Sequence, residues 1–195
     1  MKRVYILVEG PSDAAFLRRI LPVEVLGTAE LVTAGGSTGI PSLARSVLVR
    51  RKSPVAIVMD SDSIDPEVIE ERQQSTEEII RAADASIPVK VFCAIPEIEA
   101  WFFVSRATLE RVVGQVVSEE EVLFGKRDPK GMLQRLAERS GRSWDINRAI
   151  GQLDASDVEQ IREIPEVEEL TEFLLQVQEN SHDVVEFRRR AESPS

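Results

Sequence analysis

Two short apolar runs, each stopping at acidic residues, constrain this chain more than any other feature. Val4-Tyr5-Ile6-Leu7-Val8 gives way to Glu9-Gly10-Pro11-Ser12-Asp13, and Val55-Ala56-Ile57-Val58-Met59 gives way to Asp60-Ser61-Asp62. Continuous runs of this kind read as strands buried on both faces of a sheet. Carboxylates that follow them are delivered to the C-terminal edge, where open α/β sheets hold their ligands. The expectation is one divalent metal site assembled from separate strand ends, with phosphate chemistry on it.

The intervening sequence supports that frame. After Gly10-Pro11 the spacing of Ala14, Phe16, Leu17, Ile20 and Leu21 predicts a helix that ends before Pro22. A second strand spans 29–34 and stops at Gly35-Gly36-Ser37-Thr38-Gly39, which opens a helix with Pro41 in its first turn. Pro66 starts a long charged helix to about residue 85, and 89–95 reads as a fourth strand. The alternation predicts an α/β fold, a four-stranded parallel sheet with right-handed crossovers and helices on both faces.

From Pro96 onward the pattern is helical. Ser118-Glu119-Glu120-Glu121 has capping-box spacing, Asp128-Pro129 opens another helix, and Val167, Leu170, Phe173, Leu174 and Val177 form one apolar stripe. The expected organisation is a catalytic domain over 1–100, a helical C-terminal extension over 101–187 packed on or beside it, and a loose tail over 188–195.

Composition removes several function classes. A net charge of −10 argues against a protein that coats nucleic acid through a general basic surface. The first apolar run is too short for a signal peptide, and no stretch approaches the ~20 apolar residues of a membrane span. With a single cysteine, Cys93, in a strand-like run, a reducing and cytoplasmic setting is expected, and Cys93 reads as buried filler. One cysteine and one histidine, His182, cannot build a cysteine-rich zinc site, and His182 reads as a surface residue.

Each acid has a bland explanation as well as a functional one. Asp60 and Asp62, two apart in an extended segment, would project to one side and flank one ion. Either could equally cap a helix or hold a turn. Asp13 suits the first turn of its helix through the dipole alone. Glu97 and Glu99 follow Pro96, so they too can be first-turn acids, and in a helical turn they cannot both face one ion. Lys130, near a helix start, can be solvated. Gly35, Gly36, Ser37 and Thr38 either offer amides to a phosphate or form a plain turn. No Gly-x-x-x-x-Gly-Lys-Ser/Thr loop is present.

Taken together, Val8-Glu9-Gly10-Pro11-Ser12-Asp13 at a strand end, a glycine turn after strand two and Asp60-Ser61-Asp62 after strand three resemble the Toprim domain of topoisomerases, primases and OLD-family (overcoming lysogenization defect) nucleases. Pro96-Glu97-Ile98-Glu99-Ala100-Trp101-Phe102-Phe103 and Asp128-Pro129-Lys130-Gly131-Met132-Leu133 are similar to later motifs of standalone, OLD-like bacterial Toprim proteins. The resemblance implies Glu9 as a metal-associated general acid/base, Asp60 and Asp62 as main Mg2+ ligands with Mn2+ able to substitute, Asp13 as an acid that either supports those ligands or binds a second ion, and Glu97 and Glu99 as acids that hold a second ion or orient its water. It implies Lys130 as a cation on the scissile phosphate.

Among Toprim chemistries, strand passage needs a tyrosine nucleophile, and the only tyrosine, Tyr5, lies about 13 Å back along the first strand from Glu9. Hydrolysis needs neither a tyrosine nor a zinc module. The leading expectation is a metal-dependent endonuclease that nicks or cleaves DNA in preference to RNA. OLD-like nucleases usually carry an ATPase on the same chain, so a separately encoded ATPase is the expected partner. The alternative is a non-catalytic Toprim module that binds metal and nucleic acid or nucleotide within a larger complex.

Overall fold

The computed structural model describes residues 4–191, with side chains over 4–180. The side chain of His182 and the 192–195 part of the expected tail lie outside what is described.

Four strands, β1 (Val4–Val8), β2 (Ala29–Thr33), β3 (Val55–Asp60) and β4 (Val89–Ala94), form one parallel sheet in the order β2-β1-β3-β4. This is the expected α/β architecture. Val8 lies opposite Val58, and Asp60 lies opposite Ala94, so the acidic ends of β1 and β3 emerge side by side with the end of β4.

Alternation along the strands builds two hydrophobic layers. Val4, Ile6, Val8, Ala56, Val58, Phe92 and Ala94 point to one face. That face is covered by α1 (Pro11–Ile20), the short α2 (Val23–Leu26) and the C-terminal helices: α5 (Arg106–Val113), α6 (Glu119–Gly125), α7 (Pro129–Arg139), α8 (Ile146–Gln152), α9 (Ala155–Arg162) and α10 (Pro165–Ala191). Leu7, Val55, Ile57, Met59, Val91 and Cys93 point to the other face. Here α3 (Ile40–Ser46) and α4 (Pro66–Arg81) supply Ile40, Ala44, Ile69 and Ile80.

Residues 101–177 therefore share a continuous core with the sheet, and their helices cover one of its faces. The last helix continues through 188–191, where the sequence led us to expect the tail to begin.

Strand β4 is an edge, and the helix beside it occupies the open hydrogen-bonding groups. Arg81 donates to the Val89 carbonyl, Gln73 to the Val91 carbonyl, and Glu77 accepts from the Val91 amide. Such cover blunts pairing with another chain. Among the described residues, no helix is long and apolar enough to cross a membrane.

Candidate metal centre

The strand ends and two turns bring three carboxylates and one ammonium together. Asp60, Glu97 and Glu99 each offer an oxygen within 4.8 Å of the others. Asp60 ends β3, and its Oδ1 accepts the amide of Ile98 at 2.9 Å. Glu97 has an extended backbone (φ −151°, ψ 161°) and precedes a 3-10 turn over Ile98–Phe103 that carries Glu99. Because Glu97 stands before the turn and Glu99 within it, both reach the same centre. The expectation that a helical turn would separate them fails for that reason.

Aromatic packing holds the turn in place. Phe16 of α1 stacks on Phe102 at 4.6 Å and meets Trp101 edge-on at 5.6 Å, and Phe102 meets Trp144 at 5.7 Å. Trp101, Phe102 and Phe103 are buried. Glu99 is thus carried on a packed segment, the kind of support a precise site needs.

Lys130 enters from the first turn of α7. Its ammonium lies 2.8 Å from Glu97 Oε2, 3.2 Å from Asp60 Oδ2 and 3.4 Å from Glu99 Oε2, and its amide donates to Glu97 Oε1 at 2.8 Å. Asp128 caps the helix by accepting the Gly131 amide. A Cβ at 131 would fall 2.2 Å from Asp128 Oδ2 and force the capping carboxylate to move. The lysine, half exposed, is accordingly engaged by three acids.

The electrostatics follow from this crowding. Burial pushes the Glu99 carboxyl up to about 7, with Glu97 and Asp60 adding to the effect and Lys130 opposing it. Burial also raises Asp60, against the pull of Lys130 and the Ile98 amide. Burial alone would lower the Lys130 ammonium, but the hydrogen bond to Glu97 and the charges of Asp60, Glu99 and Glu97 outweigh it, so its pKa is raised. Glu99 Oε2 is buried and accepts no hydrogen bond. Three acids facing one ammonium leave an excess of negative charge, and the Lys130 ammonium, 3.4 Å from Glu99 Oε2, does not supply the hydrogen bond that this buried oxygen lacks. The donor set is all oxygen, which suits a hard divalent cation. These residues could hold a metal ion.

The remaining acids lie around this group. Glu9 follows β1; burial raises its pKa first, then the Asp60 charge, a backbone hydrogen bond from Asp60 lowers it, and Asp13 and Asp62 raise it further. It belongs to the same electrostatic neighbourhood without joining the tight triad. Asp13 is taken up locally: its carboxylate accepts the Gly10 amide at 2.9 Å and the Ser12 hydroxyl at 3.2 Å, capping α1.

Asp62 departs most from expectation. The strand ends at Asp60, and Asp62 has a left-handed backbone (φ 53°), so the two-residue period of an extended segment does not carry past the strand end. The Asp62 amide donates to Pro96 O, and Arg72 of α4 holds both Asp62 Oδ2 and the Ser61 carbonyl at 2.9 Å. Ser61, almost fully buried, ties the same loop through its hydroxyl, which lies 2.7 Å from Ser63 O and 3.2 Å from Pro96 O. Arg72 was not singled out from sequence; ten residues from Asp62 within a charged helix, it carries no local signal.

The glycine turn lies at the same edge of the sheet. Gly36 donates its amide to Glu9 O at 2.9 Å, and Gly39 approaches so closely that a Cβ would sit 2.4 Å from Ala34 O. Ser37 and Thr38 are exposed there. By contrast, three basic residues of the first half of the chain are already engaged. Arg19 bonds Leu153 O, Arg45 bonds Pro41 O, and Lys52 pairs with Asp84 ahead of β3, at the opposite end of the sheet.

No protein-family model and no curated protein sequence matches the chain. Solved structures do resemble it. The iodine-phased C-terminal region of the Xanthomonas campestris pv. campestris OLD protein is similar with a TM-score of 0.53 at 18% identity, covering 93% of this chain and 98% of that one. The C-terminal region of the Burkholderia pseudomallei OLD protein is similar over 89% and 99% of the two chains, with a TM-score of 0.47 at 18% identity. The first of these likenesses is one of fold, and the fold is an OLD-like Toprim α/β fold.

Proposed function

We propose that this protein hydrolyses phosphodiester bonds in nucleic acid, DNA in preference to RNA, using Mg2+ or Mn2+ held by Asp60, Glu97 and Glu99. The observation that carries the reading is the convergence of these three carboxylates within 4.8 Å at the C-terminal edge of a parallel sheet. The buried Glu99 Oε2, which accepts no hydrogen bond, supports it. A second ion would fall to Glu9, with Asp13 and Asp62 at its margin.

A bound divalent cation would supply Lewis-acid polarisation of the phosphate and lower the pKa of the attacking water. The chain's own groups divide the rest. Glu9, raised by burial and by its acidic neighbours, is suited to take a proton from the nucleophile and return it to the leaving oxygen. Lys130, anchored by its backbone amide on Glu97, neutralises charge on a non-bridging phosphate oxygen. The Gly35 amide and the exposed Ser37 and Thr38, on a turn tied to Glu9 through the Gly36 amide, are the groups that would meet an adjacent phosphate.

A second reading, a non-catalytic module that binds metal and nucleic acid in a larger complex, draws support from the overall charge of −10. A separately encoded ATPase partner is part of either reading and would be recovered by pull-down from the native host. Nicking of supercoiled plasmid with Mg2+ or Mn2+ separates the two. The hydrolytic reading expects activity in the parent protein that is lost in Asp60→Ala and Glu9→Ala, and activity surviving both changes would refute the site.

A further inference from the structure

The segment that delivers Lys130 also carries features the metal centre does not use. Immediately before it, α6 ends in Leu123 and Phe124, which are 67% and 59% exposed. Phe124 is the single aromatic residue exposed to this degree among the described residues. Lys126 and Arg127 follow it, both exposed and in no ion pair among the described residues. In a chain of net charge −10, whose other cations largely sit in ion pairs or on carbonyls, two free cations beside an exposed ring form a distinct patch.

Its position is fixed relative to the acids. Gly125 is buried against Phe103 so tightly that a Cβ would lie 2.0 Å from the ring. Phe103 ends the 3-10 turn that carries Glu99, four residues earlier, which at the rise of such a turn is about 8 Å. The patch is thus tied through Phe103 to the turn that carries Glu99, and it runs into Lys130 along the same chain segment. A ring with an open face, followed by two cations and then a site for phosphate, matches what a single strand presents: an unstacked base and a regular row of phosphates.

We propose that the turn between α6 and α7 is a docking surface for single-stranded nucleic acid, with a base stacked on Phe124, phosphates on Lys126 and Arg127, and the strand continuing toward the acids. Paired bases present no open face to Phe124, so duplex would use only the two cations. The inference rests on the nucleic-acid reading above and adds strandedness to it.

The test is fluorescence anisotropy with labelled oligothymidylate and a labelled duplex, in EDTA so that no hydrolysis intervenes. Phe124→Ala, at an exposed position, should weaken single-strand binding about tenfold or more while changing duplex binding little. Lys126→Gln with Arg127→Gln should reduce the slope of log affinity against log salt by about 1.4. A parent with no measurable affinity for the single strand, or variants that bind like the parent, would overturn the proposal. So would a Phe124→Ala effect confined to self-association in sedimentation, which would assign the face to a second copy. Binding that behaves as expected without cleavage in Mn2+ would refute the hydrolytic reading and leave this surface standing.

Discussion

Glu97 grips Lys130 at both ends: one carboxylate oxygen accepts the lysine's backbone amide and the other pairs with its ammonium, each at 2.8 Å. The contact joins the turn after β4 to the start of α7, 33 residues apart. It therefore sets the position of the cation as well as its charge.

Replacing Glu97 should separate those two roles. Glu97→Gln can still accept the amide but loses the ion pair, whereas Glu97→Ala loses both. We expect the alanine variant to be the less stable by about 1 kcal/mol in urea denaturation. Its Lys130 amide should exchange with deuterium faster than in the glutamine variant. Equal exchange in the two variants would mean the carboxylate does not anchor the helix start.

Gly131 is required by the cap on the same helix. A Cβ at 131 would displace the Asp128 carboxylate, so Gly131→Ala should cost about 1–2 kcal/mol. Asp128→Ala already lacks the carboxylate that would clash, so Gly131→Ala introduced on top of it should cost much less. A thermal-denaturation cycle that came out additive would contradict this.

Glu99 predicts a pH dependence with a definite sign. Its carboxyl is raised from 4.5 to about 7, so the folded protein holds a proton there that the unfolded chain has released. That contribution is fully present below about pH 4.5 and is lost as pH rises through 7. In metal-free protein it corresponds to as much as about 3 kcal/mol, and Glu99→Gln should flatten the profile between pH 5 and 8. Metal binding below pH 7 should release a proton, visible calorimetrically in buffers of different ionisation enthalpy.

Asp62 should matter far less to metal binding than Asp60, although sequence spacing treats them alike. Asp62 is 69% exposed at its side chain and paired with Arg72. Asp62→Asn should change Mn2+ affinity by less than about fivefold. A loss comparable to that of Asp60→Asn would show that the Arg72 pair opens when metal binds.

The sheet was legible because its strands are continuous apolar runs between strong breakers, and buried parallel strands leave that trace. Asp60, Glu97, Glu99 and Lys130 were all visible as candidates, since acids after strands and a lysine after Asp-Pro are local signals. Their grouping was not. It depends on where β3 stops, on Glu97 being extended ahead of a 3-10 turn, and on α7 returning beside the sheet. Asp62 misled because the period-2 argument holds only within a strand. Arg72 and the packing of Gly125 on Phe103 are long-range facts with no local pattern to reveal them.

The most direct test is a calorimetric titration of Mn2+ into the metal-free protein and into Asp60→Asn, with folding of both checked by circular dichroism. The account predicts saturable binding in the parent that disappears in the variant. Undiminished binding to Asp60→Asn, or none to the parent, would contradict it.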